Sequence, residues 1–398
     1  MIIGTLNTFD GNSVMGRKHM MVNSPLNGNP RVLFDSNYIP PKLLHRTKEL
    51  KSLWNLFHPS LNPDDYFNLN AYVYGIQGVG KTVFARYFVS LLRNKFQDNF
   101  IDIYMDLALK SPPENLRLLV EEYSHSISKE FTFLPNMQKL WSYFHFLRKK
   151  TDIPLILILD NVNTVNQALY EKLIRYSKEL KFSIIANSPI PFSNYRRSSN
   201  LFAQYLDFPL QLEIYSSSAL LDILTQRISL AFPISLEPNL TKYIVDIVTE
   251  FDLYRPSTCI NLLKAIYQHL MNGRDITPSL IRDSSIDLVE FPHLEDLKFL
   301  LNFDEAPLDL FYLPLLEKLA IYFNNNSNIY LSSKELFQLY KITCDELELP
   351  YQNQFQKFVD KLLIDGFLIS SKFKINNENS FFMIIDPNLL LEYLEIKF

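Results

Sequence analysis

One segment of the sequence has the residue types and spacing of a polyphosphate-binding loop, namely GIQGVGKT at 75–82. In such a loop the glycines let backbone N–H groups surround phosphates, the lysine reaches the β and γ phosphates, and the threonine hydroxyl coordinates magnesium. A tight strand-to-helix turn without a ligand is the alternative, but it does not need the Lys-Thr pair. We therefore expect ATP or ADP with Mg²⁺ to be bound by Gly75, Gly78, Val79, Gly80, Lys81, Thr82 and Val83, with Thr82 on the metal.

Asp160 ends the apolar run LILIL at 155–159. A carboxylate at the end of such a strand usually holds magnesium through water, so Asp160 is the predicted metal-side partner of Thr82. An aspartate that merely caps the strand is the alternative. Many ATPases place a glutamate at the next position to polarise the attacking water, but here the residue is Asn161. Because an amide cannot accept a proton, we expect slow or absent hydrolysis.

Two more polar residues are candidates for contacts with a nucleotide. Asn187 follows the apolar run at 182–186 and could orient water or contact the γ-phosphate, although an ordinary turn asparagine before Ser-Pro is the alternative. Arg255 precedes Pro256 at a predicted helix start and could reach over the nucleotide. For Arg255 the alternative is a solvated surface side chain.

Short apolar runs that alternate with helical-length segments must position these residues. The runs predict strands at 71–74, 100–105, 155–159, 182–186 and 210–214. This alternation predicts a parallel sheet covered by helices on both faces. An amphipathic helix is predicted before the first strand, because its apolar residues recur at helical spacing. Those residues are Leu50, Leu53, Trp54 and Phe57.

The second half of the chain changes to a helical pattern. Residues 216–268 begin with a serine-rich N-cap and predict a small helical domain. After a connector at 277–307, three helices and a two-stranded ribbon predict a winged helix. The predicted parts are a flexible leader at 1–31, a nucleotide-binding α/β domain at 32–215, a helical domain at 216–290, and a winged-helix domain with its connector at 291–398.

The winged helix offers amides that can bind base edges and lysines that can bind phosphates. These DNA-binding candidates are Gln352, Asn353, Gln356 and Lys357 on the third helix, and Lys372 and Lys374 in the ribbon. Charge acts against DNA binding, because residues 290–398 hold nine lysines, no arginine and 17 acidic residues, a net charge of −8. The preceding residues carry +4 of the total of −4. A winged helix that docks on protein is therefore the alternative.

Composition excludes several classes of protein. A length of 398 residues predicts about two to three domains. With 47% hydrophobic and 21% charged residues, the chain is neither disordered nor collagen-like. No run of eighteen apolar residues and no basic-then-apolar leader occurs, so neither a membrane span nor a secretory signal is expected. Two cysteines fit a reducing cytoplasm.

These motifs, taken in order, resemble archaeal replication initiators of the origin-recognition and cell-division-control type. The resemblance covers residue 32 to the end and is carried by YIPP at 38–41, FHPSL at 57–61, the phosphate loop, LILILDNV, SIIANS, LEIYSSSALLDILTQRISLAF and the terminal winged helix. It implies an AAA+ ATPase domain, a helical lid and a DNA-binding winged helix. By position, Asp160 is the Walker B carboxylate, Asn187 is sensor 1, Arg255 is sensor 2, His45 and Arg46 lie near the adenine, and Arg196 or Arg197 is an inter-subunit arginine.

The resemblance also implies partners and a location. They are double-stranded origin DNA, a replicative helicase of the minichromosome maintenance type and related initiator subunits, with no membrane, at the nucleoid in the cytoplasm. The sequence departs from the family pattern at Asn161, at Asn163, in a spacing one residue longer before Arg255, and in the acidic winged helix. These departures indicate a divergent member.

Three functions therefore compete. The leading one is a DNA-binding initiator in which ATP acts as a conformational switch. A signalling ATPase of the STAND type would suit an acidic, protein-docking winged helix, but no effector or repeat domain is visible in the sequence. A structural subunit of an initiator complex that does not hydrolyse ATP would explain both Asn161 and the acidic C-terminal part.

Overall fold

The computed structural model describes residues 28–61, 66–97, 99–131, 136–163, 167–194, 205–290, 309–325, 328–348 and 355–397. Five parallel strands form a sheet in the order β2-β3-β4-β1-β5. They are β1 (Asn70–Tyr74), β2 (Ile101–Asp106), β3 (Leu155–Asp160), β4 (Ser183–Ser188) and β5 (Phe208–Gln211). The predicted parallel sheet is confirmed, and the last strand ends three residues before the predicted 214.

Helices cover both faces of this sheet, so β3 and β4 are buried along their whole length. The helices are α1 (Arg31–Phe34), α2 (Thr47–Ser60), α3 (Lys81–Phe96), α4 (Pro112–Ser126), α5 (Met137–Lys149) and α6 (Gln167–Glu179). Because side chains alternate along a strand, Ile156 and Ile158 pack in the cluster that contains α2 and α3. Leu155 and Leu157 pack with α4, α5 and α6 on the other face.

Four helices follow the sheet, α7 (Ser217–Ala231), α8 (Pro238–Phe251), α9 (Pro256–Met271) and α10 (Pro278–Ser285). Ser216 caps α7 by accepting a hydrogen bond from Ala219 N at 3.2 Å. The sequence predicts a connector from residue 277, but the structure places α10 at its start. Thr277 caps α10 as Ser216 caps α7, and Pro278 occupies the first helical position. α1 packs on α7 and α9.

The last residues of the predicted leader are held by these helices. Asn29 N donates to Leu230 O at 3.1 Å, and Arg227 of α7 donates to Val32 O at 3.1 Å. The chain from residue 28 onward is thus fixed against the helical part, which the polar composition of residues 1–31 does not indicate.

The C-terminal part is a winged helix, as predicted. Its elements are α11 (Asp309–Asn325), β6 (Leu331–Ser332), α12 (Ser333–Glu346), α13 (Phe355–Ile364), β7 (Ile369–Ser370), β8 (Ser380–Phe382) and α14 (Pro387–Lys397). The sheet has three antiparallel strands in the order β6-β8-β7, where the sequence predicts two. β6 has only two residues, too few for an alternating pattern, and α14, which packs on α11, was also missed.

A buried carboxylate joins the helical part to the winged helix. Asp246 of α8 is 1% exposed and accepts hydrogen bonds from Tyr330 OH at 2.7 Å, Ser371 Oγ at 2.6 Å and Lys372 N at 2.9 Å. Burial raises the pKa of Asp246, although the three hydrogen bonds act in the opposite direction. We call these groups the Asp246 latch.

A second polar contact lies between the same two parts, where Arg282 of α10 pairs with Asp386 at 2.9 Å.

Within the described residues, no helix is long and apolar enough to cross a membrane.

The latch predicts a selective effect of removing one tyrosine hydroxyl. Tyr330→Phe should lower the free energy of unfolding by about 1–3 kcal/mol, because the buried Asp246 carboxylate loses a donor. Tyr143→Phe is the matched control, since the Tyr143 hydroxyl donates to Glu130 O at an exposed site away from the latch, and it should cost less than about 0.5 kcal/mol. Urea denaturation measures both values, and equal losses would contradict the latch.

Candidate functional site

The phosphate loop follows β1 and runs directly into α3, which begins at Lys81. Gly78 and Gly80 have φ values of +81° and +98°, a left-handed conformation that a side chain strongly disfavours. Lys81 Nζ donates to Gly75 O and Ile76 O, both at 2.9 Å, and so closes the loop on itself. Burial lowers the pKa of Lys81, and the nearby Asp160 opposes this shift.

Thr82 and Asp160 meet across the end of the sheet. The Thr82 hydroxyl donates to Asp160 Oδ2, and Tyr104 OH of β2 donates to the same oxygen at 3.2 Å. Asp160 is 5% exposed. Burial raises the pKa of Tyr104, and the Asp160 charge adds to the effect, so the phenol remains a donor.

This hydroxyl and carboxylate are a donor set that fits Mg²⁺. Magnesium takes one or two protein oxygens and completes its coordination with water and substrate phosphates. Among the residues described, no group of three or more His, Cys, Asp or Glu is arranged to hold a metal ion. Thr82 and Asp160 therefore suit a magnesium ion that arrives with a nucleotide, and they do not form an all-protein metal site.

Asn187 lies on β4, between β1, which leads into the phosphate loop, and β3, which ends in Asp160. The pairing of Leu159 with Ala186 places Asn187 beside Asp160. The Asn187 side chain is fully buried, and neither its Oδ1 nor its Nδ2 has a hydrogen-bond partner in the described structure. Because an unpaired buried amide costs free energy, its presence favours a polar group bound at this point.

Asn161 bridges two acidic residues and has a left-handed φ of +55°. Its backbone N–H donates to Asp160 Oδ1 at 3.1 Å. Its side-chain Nδ2 donates to Asp106 Oδ1, at the end of β2, at 2.8 Å. Asn163, the other departure from the family pattern, accepts a long hydrogen bond of 3.5 Å from Ser188.

A cleft of about 270 Å³ opens between the phosphate loop and the helices that follow the sheet. Its lining combines the loop, Asp160 and Asn161 with Pro40, residues 42–44, Tyr215, Arg227 and the start of α9. The surface of the cleft is mostly apolar, and Ile223, Pro256 and Ile260 contribute to it on the side of α7 and α9, beside the polar side chains of Gln226, Arg227 and Ser257. An apolar wall beside a phosphate loop is suited to a nucleotide base.

The N-terminus of α9 closes directly over the loop. A Cβ placed on Gly78 would overlap Ser257 Oγ and would lie 3.3 Å from Ser257 Cβ and 3.4 Å from Arg255 Cδ. The Arg255 guanidinium pairs with Asp252 at 3.2 Å, while its Nε is buried without a hydrogen-bond partner among the residues described. Arg255 thus lies beside the loop, and its contact with a nucleotide stays a prediction.

The longer spacing before Arg255 has a structural solution. Leu253 and Tyr254 both adopt left-handed φ values, +51° and +60°. The chain thereby returns Asp252 to the start of α9, where it accepts a hydrogen bond from the Thr258 hydroxyl and pairs with Arg255. The additional residue is accommodated by local backbone strain, and Arg255 keeps its place.

His45 and Arg46 do not line the cleft. His45 Nε2 contacts Asp222 Oδ2 at 2.7 Å on the exposed side of α7. Arg46 is 4% exposed, and its guanidinium lies over the Tyr215 ring with 3.9 Å to the centroid. Arg46 also donates to Tyr215 OH and to Glu213 O. Arg46 therefore holds Tyr215 in the cleft wall from behind, and a direct contact with the base stays a prediction for both residues.

The DNA-binding candidates are only partly described. Gln352, Asn353, Arg196 and Arg197 lie outside the described residues. Gln356 and Lys357 are exposed on α13, where Gln356 donates to Asp360 at 2.8 Å. In the ribbon Lys374 is exposed, and Lys372 Nζ bonds to Glu250 of α8 at 3.1 Å.

Sequence reasoning missed five residues of the site, Tyr104, Asp106, Tyr215, Arg227 and Ser257. Only Asp106 had a signal, because it ends an apolar strand as Asp160 does. The other four reach the cleft only through folding.

No family model matches the chain. It is 28% identical over 217 residues to the ORC1-type DNA replication protein 1 of Sulfurisphaera tokodaii, over 51% of this chain and 52% of that protein. It is 29% identical over 213 residues to the protein of the same name from Sulfolobus acidocaldarius, over 50% and 51%. The chain thus matches about half the length of these curated relatives.

Solved structures match nearly the whole chain. Cdc6p from Pyrobaculum aerophilum has a TM-score of 0.73 at 18% identity, covering 92% of this chain and 97% of that one. ORC1 of Aeropyrum pernix in complex with DNA gives 0.57 at 18% identity, over 94% and 98%. ORC2 of the same organism, with ADPNP and ADP, gives 0.54 at 19%, over 92% and 97%. The sequence comparisons confirm the resemblance to archaeal ORC1-type DNA replication proteins. The solved structures confirm the fold, a parallel-sheet domain followed by a helical part and a winged helix.

The contact between α9 and the loop makes a prediction for two glycines. Gly78→Ala and Gly80→Ala share a positive φ, but only at Gly78 does the added methyl meet another part of the chain. Gly78→Ala should therefore lower the free energy of unfolding by about 1–3 kcal/mol more than Gly80→Ala. The comparison is made by denaturant unfolding without nucleotide. Adding Ser257→Ala to Gly78→Ala should recover part of the difference. Equal effects of the two glycine changes would contradict a close contact between α9 and the phosphate loop.

Proposed function

We propose that the chain is a nucleotide-switched DNA replication initiator that binds double-stranded origin DNA and helps to recruit or load the replicative helicase. The observation that carries this proposal is that Asp160, Asn187 and Arg255 lie together around the phosphate loop, in a chain whose fold is similar to that of Cdc6 and ORC proteins. The two curated relatives are named as DNA replication proteins, which supports the same function.

Nucleotide binding is supported by residues from four parts of the chain that lie around the phosphate loop. The loop, with Lys81, and Asp160 of β3 line the cleft. Asn187 of β4 has an unpartnered buried amide beside Asp160, and Arg255, just before α9, lies next to Gly78. The related ORC2 structure contains ADPNP and ADP. Magnesium would be held by Thr82 and Asp160, and its charge would offset that of the phosphates.

The conformational switch would act through the four helices α7 to α10, which we call the lid. Gly78 contacts Ser257 of α9, and α8 carries the Asp246 latch to the winged helix. A phosphate chain entering beneath α9 must displace or reorder the contacts of Arg255. Because the lid and winged helix share buried polar bonds, a lid movement would carry the winged helix with it.

DNA binding is supported by the winged helix and by the related ORC1 structure, which contains DNA. With Lys372 engaged by Glu250, the exposed cations described on this surface are few, and Gln356 is held by Asp360. Much of the phosphate contact should therefore come from the more basic residues before 290.

The finer assignments belong to the same proposal. They are the domain limits at 31, 215 and 290, minichromosome maintenance helicase and related initiator subunits as partners, and a cytoplasmic, nucleoid-associated location. Neither the STAND-type ATPase nor the structural subunit is favoured, since the curated relatives are named as DNA replication proteins and the similar solved structures are Cdc6 and ORC proteins.

Loss of the loop lysine should abolish most nucleotide affinity. Lys81→Ala removes the ammonium that would pair with the phosphates and should weaken MgATP binding by about 10–100-fold, the equivalent of a charged hydrogen bond. Lys95→Ala is the control, because Lys95 is exposed at the far end of the same helix. Isothermal titration calorimetry measures both affinities, and unchanged binding by Lys81→Ala would refute the nucleotide site.

The two ribbon lysines should differ in their effect on DNA. Lys374→Ala should lower the slope of log affinity against log salt by about one unit, and the Lys372→Ala/Lys374→Ala pair by at most about two. Lys372→Ala alone should have the smaller effect, because its ammonium already bonds to Glu250. Fluorescence anisotropy with duplex DNA at several salt concentrations is the measurement. If the double variant binds duplex DNA as the wild type does at every salt concentration, the winged helix docks on protein.

A further inference from the structure

We infer that the carboxylate that activates the attacking water is Asp106, on β2, in place of an acidic residue after Asp160. This inference rests on the proposed nucleotide binding. The position after Asp160 is occupied by Asn161, whose amide cannot take a proton. That amide donates to Asp106 Oδ1 at 2.8 Å, so a carboxylate and an amide do face each other at this point of the site. This carboxylate, Asp106, lies on β2, the strand next to β3.

Strand register places Asp106 beside the site. Asp106 pairs with Asp160 in the parallel register of β2 and β3, and the backbones of such strands run about 4.8 Å apart. Alternate residues of β2 share a face, and the two that precede Asp106 at this spacing both point toward α3, which follows the phosphate loop. Asp102 pairs with Arg93 of α3, and Tyr104 bonds to Asp160. Asp106 therefore lies on the phosphate-loop face.

Local bonds hold the Asp106 carboxylate in one orientation. Oδ1 accepts hydrogen bonds from Asn161 Nδ2 and from Ala108 N, the latter at 3.0 Å. Both bonds recorded within the described residues go to this oxygen, so Oδ2 keeps its lone pairs for another donor. The residue is partly exposed, which allows water to reach it. Asn161 lines the cleft and bonds to Asp106, so one side chain separates the carboxylate from the cleft.

The chemistry assigned to Asp106 is general-base catalysis of nucleoside triphosphate hydrolysis. The water oxygen forms a bond to the γ phosphorus, and the proton of that water passes to the Asp106 carboxylate. The bond from the γ phosphorus to the bridging oxygen breaks, and its electron pair stays on the nucleoside diphosphate. The products are nucleoside diphosphate and inorganic phosphate, and Asp106 returns its proton to solvent. Asn161 positions the carboxylate.

A swap of the two residues tests this assignment. Asp106→Asn should lower kcat by about 10²–10⁴-fold with MgATP affinity unchanged, because a general base acts only in the chemical step. The double variant Asp106→Asn/Asn161→Glu restores one carboxylate and one amide with their strands exchanged, and it should recover most of the lost turnover. Asp102→Asn is the matched control on the same face of β2, and it should leave kcat at the wild-type level.

The measurements are single-turnover hydrolysis of radiolabelled ATP, calorimetric MgATP affinity and melting temperature for each full-length variant. A merely structural role would lower affinity or melting temperature and would show no recovery in the swap. Turnover that is unaffected by Asp106→Asn, or absent from a wild-type chain that binds MgATP, overturns the inference and leaves the proposed function intact. A wild-type chain that binds no nucleotide overturns both.

Discussion

The hydrogen bond from the Thr82 hydroxyl to the Asp160 carboxylate is the contact around which the site is built. Thr82 follows β1, Asp160 ends β3, and β4 lies between these two strands. The bond therefore passes over the end of β4, where the Asn187 amide is buried. Parallel strands bring all their carboxyl ends to one edge, and the order of the strands decides which polar residues become neighbours there. Burial at this shared edge lowers the pKa of Lys81 and raises that of Tyr104.

Two further contacts connect that edge to the rest of the molecule. α9 touches the loop at Gly78, and α8 holds the winged helix through the buried Asp246 carboxylate. Both helices belong to the same small bundle, so the loop and the winged helix are joined by a continuous path of packed elements. The polar bonds in this path have defined geometry, and they resist independent movement of the lid and winged helix more than an apolar interface would.

The departures from the family pattern are compensated within the structure. The longer approach to Arg255 is accommodated by left-handed conformations at Leu253 and Tyr254, which keep Asp252 at the start of α9. The amide at residue 161 faces the Asp106 carboxylate. The acidic winged helix uses one lysine of its ribbon, Lys372, to bind Glu250 of the lid. Each of these departures from the family pattern is therefore accompanied by a contact with a residue that is close in space.

The sequence alone determined the phosphate loop, the five strands, the winged helix and the candidates Asp160, Asn187 and Arg255, because each depends on local spacing and on the period of apolar residues. Tertiary structure alone decided that Arg46 supports Tyr215 from behind the cleft, that α1 attaches to the lid, and that Asp106 faces Asn161. The physical reason is that these contacts join residues 55 to 195 positions apart, and strand order and helix packing, which a linear pattern does not contain, bring them together.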